Sequence, residues 1–198
     1  MTRLVLASES PRRRQLLEQA GYEFEVVPSS IEEQAAPNEP PLTTAVRLAL
    51  EKALAVAPLV PHGSVVLAAD TIVVIGDRLY GKPRDESDAV RTLRELLGRN
   101  HDVITAWSLL STARPWSATT GFCRSTVRMR EAGEREIREY VRTGEPMDKA
   151  GAYAAQGEGS RFVAAVIGPL DNVIGLPVTP VGLALSELGI SARRERCA

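Results

Sequence analysis

Three arginines in a row follow a short apolar run in ASESPRRRQLL, residues 7–17. Ser10 then Pro11 is a helix start, with Ser as N-cap and Pro at the first helical position. The run before it, Leu4 to Ala7, reads as a buried strand. A helix opening directly after a strand points unpaired amides and partial positive charge outward, which suits an anion. Ser8 and Ser10 add hydroxyl donors, and Arg12, Arg13 and Arg14 add guanidinium groups. Cations at this end oppose the helix dipole, so three together ask for an anionic ligand. The plainer alternative is a solvated basic turn.

Further groups with chemistry are spread along the chain. Asp70 ends the apolar run SVVLAAD, at the strand edge where α/β sheets bind ligands. A carboxylate there can hold a divalent metal or take a proton from water, or it can simply cap a turn. Lys82 sits between Gly81 and Pro83 in YGKPRD, as a fixed point charge for phosphate or as an ordinary exposed loop lysine. GEPMDKAGAYAAQGEG gathers Asp148, Lys149, Gln156 and four glycines. Gln156 offers the donor and acceptor that reading a base edge requires, and the bland alternative is a glycine-rich corner. Glu33 in a proline-rich loop and Lys52 in LALEKAL complete the set, although each residue type in such a place is more often surface than site. His62 and His101 are too isolated for a metal pair, and solvent or a satisfied hydrogen bond is the expectation for them, as it is for Trp107 and Trp116. Phosphate-holding cations and two separate carboxylates, with no Ser-His-Asp or Cys-His pair, suit metal-assisted attack by water on phosphorus. There is no G-x-x-x-x-G-K-[ST], so this is not a P-loop enzyme.

The elements that must position these groups follow from periodicity. The first helix runs from Pro11 to a stop at Gly21. FEVV is a second strand, and residues 28–41, with four prolines, are loop. Thr43 or Thr44 caps a helix with Val46, Ala49, Leu50, Ala53 and Leu54 at helical spacing, ending near Pro58. SVVLAAD is a strand, then TIVVIGDRLYG is a strand, a Gly-Asp turn and a short return strand. Asp85 caps a third helix that Gly98 ends. Residues 102–112 and 118–130 alternate as paired strands, and 134–143 make a solvated helix. AGAYAAQG, FVAAVIG and NVIGLPV read as turns and short strands, Pro180 to Leu188 as a closing helix, and SARRERCA as a frayed tail. Helices interleave with strands and hairpins, so the class is α/β with a mixed sheet, in one domain over 1–198.

Composition is that of a globular chain: 198 residues, 44% hydrophobic and 25% charged. A formal net charge of −1 argues against a general nucleic-acid binder. No apolar run is long enough for a bilayer, and the N-terminus reads as a buried strand, not a signal peptide. Cys123 and Cys197 have no metal-ligand spacing, so a reduced, cytoplasmic compartment is expected.

As a set, the segments at 6–17, 69–74, 81–85 and 144–157, with FV at 162 and GLPV at 175, resemble the Maf family, the septum-formation-inhibitor-like nucleotide pyrophosphatases. The resemblance implies a fold like that of the inosine-triphosphate pyrophosphatases, with two lobes around a cleft, commonly as a homodimer, and a divalent metal, Mg²⁺ or Mn²⁺. It implies a nucleoside triphosphate substrate cleaved at the α-phosphorus to the monophosphate and pyrophosphate. Ser8, Arg12 and Arg13 then grip the triphosphate, with Lys52 and Lys82 helping. Glu33 and Asp70 hold the metal and activate water, with Asp70 as proton acceptor. One branch of the family takes dTTP and UTP, and Arg12, Thr71 and Gln156 resemble it; another prefers 7-methyl-GTP. Modified pyrimidine triphosphates are a rival substrate class, and a nucleotide-binding regulator of cell division is the alternative function. Pro169, Leu170 and Ala155 depart from the residues usual in the family, near the expected base pocket.

Overall fold

A computed structural model describes residues 2–34, 36 and 38–193. It contains seven strands, β1 (Leu4–Leu6), β2 (Glu25–Val26), β3 (Val65–Ile75), β4 (Arg78–Tyr80), β5 (Asn100–Ser111), β6 (Ser117–Met129) and β7 (Val163–Ile167). The helices are α1 (Pro11–Gln19), α2 (Pro41–Val56), α3 (Glu86–Leu96), α4 (Glu134–Val141), α5 (Leu170–Ile174) and α6 (Val178–Glu187). The strands form one sheet in the order β2-β1-β3-β5-β6-β7, with β4 also on β3. β1 pairs in parallel with β2 and β3, whereas β4 on β3 and β7 on β6 are antiparallel. The mixed α/β class read from the sequence is the one found.

The chain divides into two compact units. One holds the stretches up to Asp70, Thr105–Cys123, and from Gly175 onward; the other holds Thr71–Ile104 and Arg124–Ile174. In the first unit the period of two along β1 and β3 sends alternate residues to opposite faces, and both faces are covered. Leu4, Leu6, Val65 and Leu67 pack with Leu17, Leu109, Leu176 and Leu185. Val5, Ala7, Val66 and Ala68 pack with Ala53, Val56 and Leu110. The second unit has its own core, in which Leu93, Val103, Val127, Ile137, Tyr140 and Phe162 meet.

Several elements depart from expectation. The two strands read on either side of Asp70 are one, because β3 continues without a break from Val65 to Ile75. α2 is not capped by Thr43 or Thr44; Pro40 precedes it, and Thr44 lies in the first turn with its hydroxyl donating to the Pro40 carbonyl and to Glu39. NVIGLPV opens with the last three residues of α5 and forms no strand, and AGAYAAQG is 3₁₀ turn and loop. α4 is solvated on one face only, for Ile137, Tyr140 and Val141 are buried. α1 ends as read, with Gly21 at φ 81°, a left-handed turn that glycine adopts without strain. Cys123 is half-buried and in no disulfide, whereas Cys197 and most of the tail lie outside the described residues.

Candidate active site

The site starts where β1 stops. β1 pairs with β3 only as far as Leu6 opposite Leu67, after which the chain turns through Ser8 into α1. Asp70 stands three residues beyond Leu67 on β3. It lies mid-strand and not at a strand end, yet at the carboxyl edge of the parallel β1–β3 pair. It shares its face with Val66 and Ala68, which pack on α2.

α2 answers with Lys52. The buried stripe of α2 is Thr44, Ala45, Leu48, Ala49, Lys52, Ala53 and Val56, so Lys52 falls inside it at helical spacing. Lys52 is only 4% exposed, contrary to the surface position expected of it. The stripe is turned from the one read in sequence, for Leu54 is 43% exposed. A buried ammonium needs anionic partners. Lys52 Nζ has two, Asp70 Oδ1 at 2.6 Å and Glu33 Oε1 at 2.7 Å. Glu33 comes from the loop between β2 and α2, and Arg47 of α2 fastens that loop through the Gln34 carbonyl at 2.9 Å and the Glu39 carboxylate at 2.6 Å. Hydrogen bonds from Arg47 and Thr44 pull the Glu39 carboxyl down to about 2, against the upward pull of its desolvation.

The arginines of α1 have three different destinations. Arg13 is fixed: Nε donates to the Gly175 carbonyl at 2.9 Å and Nη1 to Ser8 Oγ at 3.2 Å. Ser8 is buried and also accepts from the Ser10 amide at 3.2 Å, and Ser10 Oγ caps α1 by accepting from the Arg13 amide at 3.4 Å. Burial lowers the pKa of the Arg13 guanidinium, opposed by the charges of Asp70 and then Glu33, while Arg12 adds to the lowering. Arg12, Arg13, Glu33 and Asp70 therefore share one electrostatic neighbourhood. Arg12 is half-buried and, among the described residues, has no hydrogen bond or ion pair of its own. Arg14 lies outward, 3.6 Å from Glu18 in an exposed i,i+4 pair, as the solvated alternative would have it.

Ser8, Arg12, Arg13, Glu33, Lys52 and Asp70 thus belong to the first unit. Thr71, Lys82 and Gln156 belong to the second. There the Gly81 carbonyl accepts from the Gly151 amide at 3.1 Å, which joins the Lys82 turn to the segment that carries Gln156. Lys82 and Gln156 are exposed and Thr71 is half-buried. Glu145 holds the Gln156 segment, its carboxylate accepting from the Gly159 amide at 2.8 Å and the Glu158 amide at 3.2 Å. Gly157 in this segment has φ 75°, a left-handed conformation that favours glycine. His101 is a buried core residue with Nε2 2.8 Å from the Tyr153 hydroxyl, while its Nδ1 has no hydrogen-bond partner among the described residues, so it is only half satisfied.

Sequence reasoning missed the burial of Lys52, the Gly175 carbonyl behind Arg13, and Glu145. A signal existed for the first alone: Lys52 lies four residues before Val56 and four after Leu48, on a stripe that the apolar but outward Leu54 obscured.

Among the described residues no three His, Cys, Asp or Glu cluster as a ready-made metal cage. A magnesium site asks for less, one or two carboxylates completed by substrate phosphates and water. Glu33 and Asp70, whose oxygens already converge on one cation, fit that requirement. Among the described residues no helix is long and apolar enough to cross a membrane.

This fold is shared with known proteins. A HAM1 protein from Coxiella burnetii, 16% identical, superposes over 94% of this chain and 100% of its own with a TM-score of 0.51, a likeness of fold. Closer relationships appear in sequence. The model of the Maf-like protein family matches residues 3–188. A dTTP/UTP pyrophosphatase of Anaeromyxobacter dehalogenans strain 2CP-1 is 46% identical over 98% of this chain and 98% of its own. The dTTP/UTP pyrophosphatase of Aquifex aeolicus is 44% identical over 96% and 97%. The chain belongs to the Maf-like protein family.

Proposed function

We propose that this protein is a nucleoside triphosphate pyrophosphatase that hydrolyses dTTP and UTP to the monophosphate and pyrophosphate. One observation carries the reading: the Glu33 and Asp70 carboxylates converge on a single cation, Lys52, and their charges reach the Arg13 guanidinium of α1. Family membership and the dTTP/UTP pyrophosphatases at 46% and 44% identity support the substrate.

In this proposal Arg12 and the α1 amides bind phosphate oxygens, and Ser8 and Arg13 set the shape of that turn. Glu33 and Asp70 hold a divalent cation, Mg²⁺ or Mn²⁺, which when bound draws electron density from phosphate oxygens. Asp70 takes a proton from water as the water oxygen bonds to the α-phosphorus. The bond from that phosphorus to the bridging oxygen breaks, and its electron pair leaves with pyrophosphate. Lys82 as a phosphate charge, and Thr71 and Gln156 in base choice, are assigned from family membership and not from geometry. A cytoplasmic location belongs to the same proposal.

The test is a panel of triphosphates with Mg²⁺ or Mn²⁺, read as pyrophosphate released. Turnover of dTTP and UTP but not ATP is expected. Binding of these nucleotides without turnover would replace the enzyme by a nucleotide-sensing regulator.

A further inference from the structure

Lys52 is an unusual group to find between two acids that are to hold a metal. Its ammonium is buried and supplied by α2, and the two carboxylates come from separate segments, a loop and β3. One acid would neutralise a buried lysine. Here there are two, within the electrostatic reach of the Arg13 guanidinium as well, and the second, Glu33, is 37% exposed at its side chain. The two oxygens lie 2.6 and 2.7 Å from Nζ, so the ammonium stands where an ion bound by both would stand. Two cations at contact distance in a buried place repel strongly. The ion and the ammonium therefore compete for these two oxygens.

We infer that Lys52 is a tethered stand-in for the divalent ion, bridging Glu33 and Asp70 in the metal-free protein and releasing them when the ion binds. This rests on the reading of those acids as metal ligands. The bridge keeps two neighbouring carboxylates from repelling and holds them near the geometry that the ion needs. Release turns the flexible lysine side chain into a charge available for the incoming triphosphate.

The experiment is a Mn²⁺ titration of the full chain, followed by the electron paramagnetic resonance of free Mn²⁺, for the protein and for Lys52→Met. The variant loses the competing cation, so it binds Mn²⁺ roughly tenfold tighter or more. Its metal-free unfolding midpoint falls and Mn²⁺ restores it. Unchanged or weaker binding by Lys52→Met overturns the exchange while leaving the metal ligands standing. If neither form binds Mn²⁺, with or without dTTP, the ligand assignment itself falls and the exchange with it. A second measurement needs no variant. The ¹⁵N resonance of the Lys52 ammonium, sheltered from exchange by its two partners, shifts or broadens as Mg²⁺ is added. A resonance unmoved at saturating Mg²⁺ contradicts the exchange.

Discussion

Asp70 and Arg13 each have partners that define what they do. Asp70 faces Lys52 inside the protein, so Asp70→Asn keeps the hydrogen-bonding shape, and Lys52 keeps Glu33. Pyrophosphate release by Asp70→Asn is expected to fall by roughly 10²- to 10⁴-fold, with the circular dichroism spectrum retained. Full activity would remove Asp70 as the proton acceptor. The two arginines separate by a different pair of readouts. Arg12→Ala raises KM for dTTP with little change in melting temperature, because Arg12 supports no other described residue. Arg13→Ala lowers the melting temperature as well, because it unties Ser8 from Gly175. An unchanged KM in Arg12→Ala would contradict the anion site at α1. At this scale the sequence announced the arginines and Asp70 by type and neighbourhood. It hid Lys52, because a lysine on a helix is ordinarily solvated and only the correct phase of the buried stripe exposes it as internal.

The elements decide how firmly those residues are held. The loop that brings Glu33 to Lys52 is fastened by Arg47, which grips the Gln34 carbonyl and Glu39 and also lies 3.1 Å from Glu51. Arg47→Ala is expected to cost roughly ten- to hundredfold in kcat/KM, through Glu33 that it never touches. Steady-state kinetics on UTP check this, with the far-ultraviolet spectrum unchanged. Element boundaries were legible where local chemistry sets them, as at the Ser10 cap and the Gly21 stop. They were not legible where distant partners set them. An Asp in an apolar run suggests a strand end, since Asp is a poor strand residue. β3 runs on because β4 pairs with Val73, Val74 and Ile75, a contact that local pattern does not reveal. The charged sequence of α4 likewise masks the three residues it buries in the second core.

For the whole molecule, the α/β class and mixed sheet followed from alternating periodicities, while the division into two units did not. β3, β5 and β6 each pass from one unit into the other, so no linker marks the boundary. The second unit carries a pH liability in its core. Burial lowers the pKa of His101 from 6.5 to about 4, with the charge of Asp102 pulling weakly upward. Between those values the unfolded chain binds the proton and the folded chain does not. The stabilising contribution is therefore whole above pH 6.5 and is lost as pH falls toward 4, up to roughly 3 kcal/mol. Urea unfolding across this window shows the slope, and His101→Gln flattens it.

In the proposed reaction the oxygen of water attacks the α-phosphorus. Hydrolysis of dTTP in ¹⁸O-enriched water, read by the isotope shift in ³¹P resonance, tests it directly. The label is predicted in the monophosphate, with unlabelled pyrophosphate. Label in pyrophosphate, or orthophosphate as the released product, would contradict it.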